Sequence, residues 1–149
     1  MNTKSYYLRP WRVSDASFVI KLRNNPEYKQ YFRQEKDITL KEQINFIKKA
    51  KDINYNAYIL IGDDKRLGVF ALHGSELCVV SPFEYIEIGV NILKTMYPST
   101  LIFGEVFTYN HALKHYLNCG FEVMGVKEKY CKKNGEWVSV VKISYLCEC

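Results

Sequence analysis

No apolar run in this 149-residue chain approaches the roughly 20 residues needed to cross a bilayer, and the opening MNTKSYYLRP lacks the apolar centre of a secretory signal. The expectation is a cytoplasmic protein with no membrane partner. Paired C-x-x-C spacing is also missing: Cys78, Cys119, Cys131, Cys147 and Cys149 are odd in number, which argues against a disulfide framework and against a zinc site. They read as reduced thiols, partly buried as small hydrophobes, with the closing CEC a frayed tail. Internal repeats, low-complexity tracts and Gly/Ser linkers are absent too, so residues 1–149 are expected to form one domain.

What is present suits a soluble core: 48% of residues are hydrophobic and 25% charged. A formal charge of +5 favours anionic partners such as a nucleotide cofactor or nucleic acid. The basic clusters IKKAK and KEKYCKK are equally well explained as solvated helix and hairpin faces.

Read in order, YYLRPW is a short strand, and SDASFVIKLRNN is a helix with Ser14 as cap and Phe18, Val19 and Leu22 on one face. Pro26 marks a helix boundary. TLKEQINFIKKAK carries a capping box, Thr39 with Glu42, and an apolar stripe of Leu40, Ile44 and Ile47. NAYILI and LGVFALH flank the turn GDDKR as an antiparallel hairpin. YIEIGV and LIFGEVF read as the next strands. NHALKHYLNCG reads as a helix with Asn110 near its start and Gly120 at its end. FEVMGVKEKY and EWVSVVKISYL surround Asn134 and Gly135, a strong hairpin-turn signal. The order is α+β.

The ordered set LRPWRVSDASFVIKLRNNPEYKQYF, TLKEQINFIKKAK, RLGVFALHG, YIEIGV, EVFTYNHALKHYLNCGFEVMG and NGEWVSVVKISY resembles the GNAT family of acyl-CoA-dependent N-acetyltransferases over nearly the full length. Within it, the chain is most similar to the branch acting on ribosomal-protein N-termini, aminoglycosides and nucleotide-linked amino sugars. The resemblance implies a mixed, mostly antiparallel twisted sheet flanked by helices. It implies acetyl-CoA as cofactor, lying where YIEIGV splays from LIFGEVF, and an amine of a small molecule or peptide as substrate.

The family joins those two strands by a basic, glycine-rich phosphate loop and a helix, whose successive backbone N–H groups cradle an anion. Residues 91–99, NILKTMYPS, hold no glycine and no arginine, and nine residues fall short of the ~10–12 that a parallel crossover needs. The expectation is a shortened connection with loop and helix deleted, spanned either by a single-turn crossover or by antiparallel rearrangement of the two strands.

By the same resemblance Tyr116, in YLNCGF, would protonate the departing thiolate; a packed aromatic is the other role open to it. Glu87 in YIEIGV is the general-base candidate, unless it merely faces solvent. Ile88, Gly89 and Val90 on the same segment, with Asn110, would touch the cofactor, although a helix cap suffices to explain Asn110. Arg23, Asn24, Tyr31 and Phe32 would line the acceptor pocket, with His73 as an alternative base; Tyr31 and Phe32 could equally pack between helix and sheet. His111 and His115 share a helix face at i, i+4 without a third ligand, so no metal is expected.

Three readings stay open: an N-acetyltransferase with a trimmed CoA site, a relative that has abandoned CoA and modifies a nucleic acid or nucleotide, and a non-catalytic binding module with Met96, Tyr97 or Ile92 filling the cofactor space. A homodimer would cover exposed strand edges.

Overall fold

Apolar residues alternate on both sides of NAYILI and LGVFALH, and both sides are covered. In the computed structural model, which describes residues 5–146, these segments are β2 (Tyr55–Gly62) and β3 (Lys65–His73) of a seven-stranded sheet. Ala57, Ile59, Ile61, Val69 and Ala71 pack toward Val19 of α1 (Ala16–Arg23). Leu60, Phe70 and Leu72 pack on the other face, against Ile86, Val90 and Leu93 of α4 (Phe83–Met96). Strands buried on both faces read as nearly continuous hydrophobic runs, as these do.

The sheet runs β1-β2-β3-β4-β5-β7-β6, with β1 (Tyr6–Pro10), β4 (Glu76–Val80), β5 (Leu101–Phe107), β6 (Glu122–Lys133) and β7 (Glu136–Leu146). All neighbours are antiparallel except β4 and β5, which are parallel. Short helix α2 (Pro26–Lys29) and helix α3 (Leu40–Lys49) follow α1, and α5 (Leu113–Asn118) follows β5. The mixed, mostly antiparallel α+β sheet flanked by helices is as expected. No helix among the described residues is long and apolar enough to cross a membrane.

Local signals act where the chain places them. Thr39 and Glu42 close a reciprocal capping box on α3, though Leu40 of its apolar stripe is exposed. Asn134 and Gly135 both have positive φ, 52° and 83°, as a type I′ turn requires. Gly120 ends the α5 segment at φ 94°. Ser14 is not a cap: it lies inside a single 3-10 turn, Val13–Asp15, and the carboxylate of Asp15 takes the Arg12 N–H at 2.8 Å instead.

The largest correction concerns YIEIGV, which is no strand but the middle of helix α4. Six residues of alternating polarity satisfy either period; over the longer window Phe83, Ile86, Val90 and Leu93 recur at helical spacing. The strand before the crossover is ELCVV, β4, absent from the sequence reading. Residues 81–100 therefore form an ordinary right-length crossover with its helix present, not a deleted one, and the antiparallel alternative is excluded by the parallel pairing. Only the turn into the helix is short: Ser81 and Pro82. Cys147 and Cys149 lie outside the described residues.

Candidate functional site

β4 and β5 share a single ladder position, Glu76 opposite Phe103, backed by the Phe103 N–H donating to the Ser75 carbonyl at 3.0 Å. Beyond it the strands diverge. The gap opens into a cleft of about 370 Å³ walled by the two strands, roofed by Tyr31, Phe32 and Gln34, with Tyr116 beneath. Strand alternation makes the cleft two-sided: Leu77 and Val79 pack with the α4/α5 cluster, Cys78 and Val80 with the α1 cluster. A ligand could thus be reached from both faces of the sheet.

On the α4/α5 face, Tyr116 is buried, and burial holds its phenol far above the ordinary tyrosine range, so it keeps its proton. Asn110 lines the cleft while its Oδ1 accepts the Ala112 N–H at 2.8 Å, one turn ahead of α5. Next to them, Phe83 at the start of α4 meets Tyr28, Tyr31, His111 and His115 ring to ring, with centroids 5.7–6.4 Å apart. These rings fill the space between the start of α4 and α5.

On the opposite face the roof is pinned. Asn24 donates to the Ile38 carbonyl and accepts the Ile38 N–H, both at 2.8 Å. Tyr109 donates to the Gln30 carbonyl at 3.0 Å, and buried Lys133 donates to the carbonyls of Lys29 and Gln34. Burial lowers the Lys133 pKa. Glu105 on β5 lies between Arg33 at 2.9 Å and Lys127 at 2.7 Å. Burial alone would raise its pKa, but these two cations outweigh it and hold it low.

Two charges in the cleft differ. Arg23, at the end of α1, and Glu76, at the start of β4, both line it, and neither makes an ion pair or side-chain hydrogen bond among the described residues. Between them the thiol of Cys78 is pushed up to about 11 by burial and by the Glu76 charge, so it is no nucleophile at neutral pH.

The structure thus brings Arg23, Tyr31, Phe32, Asn110 and Tyr116 together at the cleft. Asn24 is beside it but fully engaged by the roof. His73 is exposed at the end of β3, its ring 5.6 Å from that of Tyr55, and does not line the cleft. Glu87, Ile88, Gly89 and Val90 move with YIEIGV onto α4, and none of them lines the cleft. Glu87 accepts from His115 at 2.7 Å and Asn118 at 3.4 Å, and the His115 contact leads in lowering its pKa. Gly89 and Val90 are buried, because α4 rests on Phe70 at the glycine. Glu76, Cys78, Glu105 and Gln34 escaped the sequence reading; the apolar run in ELCVV was the signal for the first two. No group of three or more His, Cys, Asp or Glu able to hold a metal occurs among the described residues.

This architecture, a mixed sheet with helices on both faces and split at one parallel strand pair, is the GNAT fold of the solved structures it is similar to. No protein-family model and no curated protein matches the sequence. Solved structures do. The chain is similar to the spermidine N-acetyltransferase from Vibrio cholerae in complex with CoA and spermine, with TM-score 0.83 and 19% identity over 95% of each chain. A dodecameric structure of that enzyme in an intermediate state matches with TM-score 0.74 and 18% identity, over 95% of this chain and 93% of that one. An acetyl transferase from Salmonella typhimurium that modifies the N-terminal serine of 50S ribosomal subunit protein L7/L12 matches with TM-score 0.81 and 12% identity, over 97% and 96%. At such identities the likeness is one of fold.

Proposed function

We propose that this chain is a cytoplasmic N-acyltransferase that moves an acetyl group from acetyl-CoA to a primary amine of a small molecule or peptide. The observation that carries the reading is the two-sided gap between parallel β4 and β5 with protonated Tyr116 buried beneath it. The CoA-bound and amine-modifying neighbours support it. So does chemistry: an amide-bearing arm can hydrogen-bond the backbone groups that diverging strands leave unpaired.

The fit to CoA is partial. The arm has a place; the phosphates have no glycine cradle, since β4 reaches α4 through Ser81 and Pro82, Pro82 has no N–H, and Phe83 packs its rings at the helix start. When bound, the cofactor would supply an activated thioester. The chain's own residues do the rest: the roof and the apolar walls exclude water, Glu76 can hold or take the proton of the entering amine, and Tyr116 holds a proton for a departing anion.

The test is calorimetric titration with acetyl-CoA and with S-acetylpantetheine, followed by an amine screen. Similar binding of the two donors, and turnover that falls by about 10²-fold or more in a folded Tyr116→Phe variant, is expected. Absence of binding and of transfer to every amine would refute the reading.

One observation favours a second reading, a non-catalytic binding module: the rings of Phe83, Tyr31, His111 and His115 occupy the route between α4 and α5. The fillers expected from sequence are elsewhere. Met96 is exposed, Tyr97 shares a 2.6 Å hydroxyl contact with Tyr58, and Ile92 packs on the core. The nucleic-acid alternative has no such support, since Glu76 and Glu105 stand in the opening beside Arg23 and Arg33. Self-association, as a dimer or larger assembly, belongs to the proposal; the dodecameric neighbour and exposed Val123, Met124 and Val126 on β6 support it.

A further inference from the structure

Arg23 and Glu76 both line this cleft without an ion pair among the described residues, and of the two only Arg23 has a polar atom buried without a partner. Its Nε is buried with no acceptor, and its guanidinium makes no hydrogen bond or ion pair among the described residues. Neighbouring charges are handled otherwise: Glu105 has two cations, and Lys133 has two carbonyls. A cation at the last residue of α1 is favourable toward the helix dipole. That accounts for a positive residue there, but a solvated lysine would serve, and it does not account for a guanidinium turned into a cavity with its Nε shut off from water. Glu76, the acid at the start of β4 that lines the same cleft, makes no ion pair with it among the described residues.

A second unsatisfied group adjoins it. Gln34 fastens its amide nitrogen to Asn24 Oδ1 at 3.1 Å and to the Lys36 carbonyl at 2.9 Å, which leaves Oε1 buried without a donor in the same lining. Phe46 and Tyr55 complete that end of the cleft as apolar surface. A planar fork of N–H donors, one free amide acceptor and aromatic walls match a ligand that bears an oxyanion beside a hydroxyl or N–H.

We propose that Arg23 is the binding site for a carboxylate or phosphate on the acceptor, whose amine then lies toward Glu76 and the β4–β5 gap. The acceptor is an anionic amine, such as an amino acid, a peptide end or a phosphorylated amino sugar, and not a polyamine. Only the acyl transfer in this statement rests on the function proposed above; the anion site does not. A bare polycation such as spermine would bring positive charge to an uncompensated guanidinium and leave its donors unpaired.

The test uses matched pairs: 6-aminohexanoate against hexylamine, and glucosamine 6-phosphate against glucosamine, with spermidine as control. Transfer from acetyl-CoA is measured for the full chain and for Arg23→Gln and Arg23→Lys, alongside thermal shifts with the same probes and no acyl donor. The expected result is a kcat/KM about tenfold or more higher for the anionic member of at least one pair, carried by KM. That preference disappears in Arg23→Gln, with the loss read mainly in KM, and is partly kept in Arg23→Lys. Whichever pair responds distinguishes carboxylate from phosphate. Equal use of both members of each pair by the unmodified chain, or preference for spermidine, overturns the anion site and leaves acyl transfer standing. Anion-dependent stabilisation that Arg23→Gln abolishes, without transfer to any amine, does the reverse. Neither stabilisation nor transfer overturns both.

Discussion

The two ends of helix α1 treat charge in opposite ways. At its start Asp15 is fully buried and saturated: Arg9 grips both carboxylate oxygens at 2.8 Å, Arg66 adds 2.9 Å and the Arg12 N–H another 2.8 Å. At its end Arg23 enters a cleft with no hydrogen-bond or ion-pair partner among the described residues. One helix thus carries an anion whose surroundings were built to satisfy it and a cation whose surroundings were not. The first belongs to folding, where an unpaired buried charge would be ruinous. The second lines an open cleft, where the proposed anion would complete it.

The sharpest way to break this contrast is to unpair the saturated end. Asp15→Ala leaves Arg9 and Arg66 facing each other with nothing between, and is expected to cost about 3–5 kcal/mol in urea unfolding; Arg23→Gln, by comparison, should leave the urea midpoint nearly unchanged or raise it. A loss at Arg23 equal to that at Asp15 would show that both ends are structural. The same site gives a pH signature. Burial by itself raises the Asp15 pKa, but the Arg9 hydrogen bonds, the Arg12 N–H and the charges of Arg9 and Arg66 outweigh it, so the folded value lies below the 3.8 of a free aspartate. Stability from this cluster is therefore complete above the unfolded pKa and is lost as pH falls through the lower folded value. In Asp15→Ala that acid-side loss should shrink.

Packing rather than charge holds α4 in place, and a smaller effect is expected there. A Cβ on Gly89 would sit 2.2 Å from Cζ of Phe70, which is wholly buried. Gly89→Ala should cost ~1–3 kcal/mol in overpacking, offset by up to ~1 kcal/mol of helix propensity, read again by urea titration. The smallest change belongs to Glu87→Gln. Its carboxylate clasps His115 at the helix surface and does not line the cleft, so neither melting temperature nor acyl transfer should move measurably. A marked fall in turnover would return Glu87 to the catalytic role that the strand reading gave it.

How far the sequence could be read depends on the range of each signal. Thr39 with Glu42 and Asn134 with Gly135 act over three residues or fewer, and both stand where expected. YIEIGV fails for the same reason in reverse: its decisive partner residues, Phe83 and Leu93, lie outside the six-residue window, and Phe70, against which Gly89 packs, lies on another strand. Arg23, Tyr31 and Tyr116 were legible as cleft residues only because a family pattern supplied their juxtaposition. Glu76 was not, since that pattern was laid over YIEIGV, a helical segment, in place of ELCVV; Glu105 lies on a strand that was read correctly but carried no motif that marked it.

By itself the sequence determined the element types wherever a cap, a turn or a two-faced apolar alternation is complete within a short stretch, and it determined the ordered α+β plan. Only the tertiary structure decided which strand opens against β5, that the crossover keeps its helix, and that Asp15 is paired while Arg23 is not. Those are facts about residues tens of positions apart meeting through the sheet, and burial and pairing have no existence until they meet.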